Sequence, residues 1–141
     1  MDDFIPSIKV IFGIFADEFD LDEITRRIGV IPTKARTKDS FRVQTLACTE
    51  WVLETGQENV IAIDIQFKKM LKMLEGKADV IKRVCDEYNL ETNFVVVIHT
   101  MVCEEPELVL SREVIAFAAA INAEIGFDLY SYEQEEFDCD D

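Results

Sequence analysis

The spacing of apolar positions changes along the chain, and each change marks an element. Residues 7–15, Ser7 to Phe15, are almost continuously apolar and rich in β-formers, which predicts a strand. An acidic turn follows at Ala16 to Asp20. Asp20 stands three residues before Glu23, the spacing of a capping box, and Leu21, Ile24 and Ile28 then repeat at helical spacing. Gly29 suits the position after a helix end and Pro32 forbids continuation, so a short helix is predicted over 21–28. Residues 33–42 read as a polar loop. A second strand is predicted over 42–54, bulged or split near Thr49, where the alternation slips.

Val60 to Ile65 also reads as a strand, but Val60, Ile63, Phe67, Met70, Leu71 and Leu74 share one helical face. A helix is therefore expected up to the break at Gly76. Ala78, Ile81, Val84, Cys85 and Tyr88 form the next helical stripe, closing near Asn89. Phe94 to Cys103 is the most β-branched run and predicts a third strand over 93–103. Ser111 is a good N-cap for the alanine-rich helix that follows over 112–123, and 125–132 alternates cleanly as a last strand.

The predicted order is β-α-β, two helices, then β-α-β. Leu21-Asp22-Glu23-Ile24 is echoed by Leu110-Ser111-Arg112-Glu113-Val114, which suggests two similar halves. The expected fold class is α+β: a four-stranded, mainly antiparallel, ferredoxin-like sheet with a two-helix insertion between the halves. The first and third strands, as the most apolar, are expected at its centre. The inserted helices or a second subunit are expected to cover the face that an ordinary ferredoxin-like sheet leaves open.

With 141 residues and 49% apolar content, one domain over 1–132 is expected. Residues 133–141 hold six acids and no base, and are expected to be a disordered tail. The net charge of −15 argues against a nucleic-acid binder held by phosphate contacts. No stretch approaches the ~18–20 apolar residues of a membrane span. Met1-Asp2-Asp3 carries acids where a signal peptide carries bases, so a cytoplasmic protein is expected. Cys48, Cys85, Cys103 and Cys139 lack the close pairs of zinc or redox sites; the first three read as small core hydrophobes.

Phe19-Asp20-Leu21-Asp22-Glu23-Ile24-Thr25 followed by Ile28-Gly29-Val30-Ile31-Pro32-Thr33 resembles the opening motif of the bacterial family called domain of unknown function 4279. The family's basic loop, tryptophan strand, leucine-rich helix and terminal Asp-hydrophobic-Tyr strand match Lys34 to Arg42, Trp51, Phe67 to Leu74, and Asp128-Leu129-Tyr130. The resemblance covers roughly residues 8–132. Leu21 stands where the family often has proline. The resemblance implies a small soluble α+β protein with no established activity and no catalytic residues to carry over.

Candidate chemistry is sparse. His99 lies inside the most apolar strand and reads as a structural histidine. Asp17, Glu18, Asp20, Asp22 and Glu23 crowd one turn without the spacing of a calcium loop, as acids complementing a helix dipole do. No phosphate-binding glycine motif is present, and no cofactor is expected. The oddity is residues 26–42, where Arg26, Arg27, Lys34, Arg36, Lys38 and Arg42 face one acid, Asp39, a local +5. It reads either as an anion-binding loop or as a solvated segment pairing with the protein's own acids. Trp51 reads as core, or as an interface anchor if exposed. Asp128 and Tyr130 share the face of the last strand opposite Phe127 and Leu129.

Three functions compete. One is a non-enzymatic protein-binding module, such as an acidic immunity- or antitoxin-like protein for a basic partner, acting as monomer or homodimer. The second is a small-ligand or anion-binding domain using the basic loop, Trp51 and the Asp128/Tyr130 face. A hydrolase using a carboxylate or His99 comes last.

Overall fold

The computed structural model describes residues 5–44 and 47–133; the tail beyond Glu133 lies outside the described residues. Strand β1 spans Ser7–Ala16, helix α1 Leu21–Ile28, β2 Lys34–Arg36, β3 Thr49–Glu54, α2 Ile63–Met73 and α3 Ala78–Tyr88. Then come β4 over Glu91–Met101, α4 over Arg112–Ala120 and β5 over Glu124–Tyr132. Helix α1 has its predicted ends. The Asp20 carboxylate accepts from the N–H groups of Asp22 and Glu23, and Gly29 closes the helix at φ 78°.

The architecture is α+β, with the five strands ordered β2-β3-β1-β4-β5. As expected, β1 and β4 are central. Three ladders are antiparallel and the β4–β5 ladder is parallel. Four strands in a ferredoxin-like layout had been expected, and the structure differs on both counts. In a ferredoxin-like sheet the last strand lies beside the first. Here β3 already occupies that edge of β1, and α4 returns the chain so that β5 runs parallel beside β4.

The fifth strand, β2, falls in the segment read as loop. It has three residues, all exposed, so it carries no apolar alternation to read. The second predicted strand is shorter than expected: β3 begins at Thr49, and the slip in alternation there marks its start. The Thr49 hydroxyl is buried and donates to the carbonyl of Asp17, which fixes that start.

One cluster forms the core. Ile8, Val10, Phe12 and Ile14 of β1 share a face with Trp51 and Leu53 of β3 and with Phe94, Val96 and Ile98 of β4. Against them pack Ile24 and Ile28 of α1, Phe67 and Met70 of α2, Ile81 and Val84 of α3, and Val114 and Ala118 of α4. Phe12, Phe67 and Phe94 meet at ring separations of 5.1 and 5.5 Å. All four helices therefore pack on one face. The inserted helices join that layer and do not cover the open face, because their apolar stripes complete the same cluster; of the two covers expected for that face, the helices are ruled out.

Candidate functional site

The basic segment is spread over α1, β2 and the turn after it, and its charges meet acids of the same chain. Arg26 pairs with Glu23, and Arg27 with Glu87 of α3. Lys34 reaches Glu54 at 3.1 Å, and Arg36 reaches Glu50 at 3.1 Å while its guanidinium lies 4.0 Å from the Phe41 ring centre. Lys38 bridges Asp17 and Glu18, whose hydrogen bonds hold its ammonium above the usual lysine range. Arg42 is exposed, at the end of the segment. The crowded acids of the first turn are thus occupied as well: Asp20 caps α1, and Asp17 and Glu18 hold Lys38.

Trp51 is fully buried. Its indole N–H donates to the Thr25 hydroxyl at 2.9 Å, and its ring meets Phe12 edge-on. It is a core residue tying β3 to α1. Cys85 is buried, and burial pushes its thiol up to about 11, so it is a neutral packing group at physiological pH. Cys48 is half-buried, with its thiol also pushed up by burial. Cys103, expected in the core, is instead exposed at φ 80°, because β4 ends at Met101 and the chain turns there.

The open face carries the other predicted pair. Register places Ser7, His99 and Tyr130 in one row and Lys9, Val97 and Asp128 in the next. The His99 ring lies nearly parallel to Tyr130, centres 4.8 Å apart, and its Nδ1 is 2.7 Å from the Tyr132 hydroxyl. On the same face of β4, Val97 and Met101 are buried although the described helices pack on the other face. The structure therefore joins Asp128 and Tyr130 to His99 and Tyr132, and separates them from the basic segment by the width of the sheet.

Strand β5 is unlike the other long strands, since almost every residue in it is exposed, as otherwise only the three residues of β2 are. Ile125, Phe127 and Leu129 point to the helix side in register with Phe94, Val96 and Ile98. Yet Phe127 and Leu129 are 46% and 58% exposed, so the last strand overhangs the helical layer. On the other side stand Asp128, Tyr130 and Tyr132, with Tyr130 48% exposed. The alternation of 125–132 is legible in the sequence, but it assigns Phe127 and Leu129 only to the face opposite Asp128 and Tyr130. The signal that could have singled them out is the short alanine-rich α4, too small to blanket a nine-residue strand.

Charge sharpens the contrast between the two edges. Residues 84–141 hold one base, Arg112, and fifteen acids, whereas residues 1–83 hold thirteen bases and fourteen acids. Residues 91–132, which form β4, α4 and β5, hold seven acids and one base, and residues 133–141 add six acids. The model of a family described as a domain of unknown function, DUF4279, matches residues 6–132, nearly the whole chain. The chain belongs to the DUF4279 family. No curated protein and no solved structure matches it. Among the described residues of this DUF4279 domain, no group of three or more His, Cys, Asp or Glu side chains is arranged to hold a metal ion. No helix among them is long and apolar enough to cross a membrane.

Proposed function

We propose that this DUF4279 domain is a non-enzymatic protein-binding module of the cytoplasm, that its partner is a basic protein, and that it docks through β5. The observation that carries the reading is β5 itself, an edge strand exposed on both faces that carries Phe127, Leu129, Tyr130 and Tyr132 among acids. Exposed aromatics on a rigid element are the groups that anchor protein interfaces. The acidic field around them attracts cationic surfaces and repels nucleic acid. An immunity- or antitoxin-like role fits this chemistry, since an acidic protein can occupy the surface with which a basic toxin would hold phosphates.

Anion binding by the basic segment has weaker support. Arg26, Arg27, Lys34, Arg36 and Lys38 all pair with the chain's own carboxylates, which an incoming anion must displace. The test is capture of partners from a native lysate on the full chain and on the variant Tyr130→Ala with Asp128→Lys. A basic protein that elutes with rising salt and is missing from the variant supports the proposal. Capture unaffected by the variant, or an acidic partner lost only on Arg36→Glu, rejects it in favour of the basic segment.

A further inference from the structure

The two edges of the sheet are built differently. The β2 edge is three residues long and presents Lys34 and Arg36, the short charged border by which sheets avoid pairing with other chains. The β5 edge is nine residues long, regular, and carries no base. The N–H of Val102 donates to the carbonyl of Tyr132 at 2.7 Å, so the Tyr132 peptide groups turn toward β4. Backbone groups along a strand alternate sides. Gly126, Asp128 and Tyr130 therefore turn theirs toward β4 as well, and Ile125, Phe127, Leu129 and Ser131 turn theirs outward. Among the described residues no strand pairs with these outward groups.

We propose that the outer edge of β5 takes up an extended segment of a basic protein as an added strand. This rests on the protein-binding reading above and specifies its geometry and the chemistry of the partner. The main-chain groups of Ile125, Phe127, Leu129 and Ser131 supply the ladder, as in other strand-addition complexes. Side chains of an added strand alternate between the faces that β5 defines. On the helix side they meet Phe127 and Leu129, which favours apolar residues. On the open side they meet Asp128, Tyr130 and Tyr132, which favours lysine or arginine through charge pairing and contact with the tyrosine faces. The segment recognised is thus one that alternates apolar and basic residues.

A second copy of the chain fits this edge poorly. Pairing β5 with β5 sets Glu124 and Asp128 of both copies along one ladder, and each copy brings a net charge of −15. The chain's own residues 133–141, with six acids and no base, carry the same unfavourable sign.

The experiment uses the full-length protein labelled for amide exchange and a blocked peptide of alternating valine and lysine. Two control peptides alternate valine with glutamate and serine with lysine. The valine–lysine peptide is expected to bind and to protect the outward amides of Ile125, Phe127, Leu129 and Ser131, while the glutamate peptide does not bind and the serine–lysine peptide binds more weakly. Leu129→Pro, which removes an outward N–H and leaves the β4 ladder in place, is expected to weaken binding at least about tenfold, the scale of one lost hydrogen bond with its partner left unpaired. Phe127→Lys, which sets a like charge on the edge, is a second variant with the same expectation. No binding of the valine–lysine peptide overturns the inference. Binding without added protection, and unaffected by either variant, also overturns strand addition while leaving an acidic docking surface standing. Protection that appears on raising protein concentration alone overturns it in favour of self-association.

Discussion

Thr25 serves two partners at once. Its hydroxyl donates to the Leu21 carbonyl at 3.2 Å and accepts from the Trp51 indole. Thr25→Val keeps the shape but strands a buried N–H, which costs about 1–3 kcal/mol. Thr25→Ser should retain most of the stability. Urea unfolding followed by the fluorescence of Trp51, the single tryptophan, measures both. Glu54 is the other informative residue. Burial pushes its carboxyl up, but the hydrogen bonds and charges of Lys9 and Lys34 outweigh this and hold it below the usual carboxylate range. A carboxyl lowered in the folded state adds stability above its unfolded value and loses it as pH falls through the folded value. Wild type should therefore exceed Glu54→Gln by about 1 kcal/mol at neutral pH. The gap should start to close below about pH 4.3 and vanish at lower pH. A gap independent of pH would mean that the pairs with Lys9 and Lys34 contribute nothing.

At the scale of elements, α1 and β5 represent opposite cases. Helix α1 is set by local chemistry, with Asp20 at one end and Gly29 at the other. Asp20→Ala should cost about 1 kcal/mol, and Asp20→Asn much less, because asparagine also accepts from the first-turn N–H groups. Thermal melts of the two variants check this, and equal losses would show that charge, not capping, is what Asp20 supplies. The alternation of β5 is just as legible, yet its exposure is not, because exposure depends on what packs above it. Val114, Ala118 and Ile121 of the last helical segment turn into the shared cluster, and Phe127 and Leu129 are left beyond its reach.

Across the whole molecule the sheet separates two electrostatic regions. Lys34, Arg36 and Lys38 surround the β2 edge with their charges paired, while the stretch that forms β4, α4 and β5 holds seven acids against one base. Association with a basic partner should therefore slow as salt rises. Between ~10 and ~150 mM the screening length falls from ~30 to ~8 Å, and the on-rate should fall with it. Stopped-flow association against ionic strength measures this. A flat rate would reject electrostatic steering, and an equal loss of rate from Lys34→Ala and Asp128→Ala would place the contact elsewhere than β5.

The sequence by itself determined most of the local structure. The caps at Asp20 and Ser111, the helical stripes of α2 and α3, and the apolar runs of β1 and β4 are all written in residue type and spacing. Family membership was legible too, in motifs that run in order along the chain. Tertiary structure alone decided the strand order, because which edge of β1 or β4 receives the last strand depends on a packing choice that neither strand encodes. It also decided β2, whose three exposed residues become a strand only by pairing with β3. The meeting of His99 with Tyr130 and Tyr132 is likewise long-range, since 31 and 33 positions separate partners that the parallel register sets side by side. The exposure of Phe127 and Leu129 has the same origin: a side chain's type says what it would gain by burial, and only the neighbours that reach it decide whether it is buried.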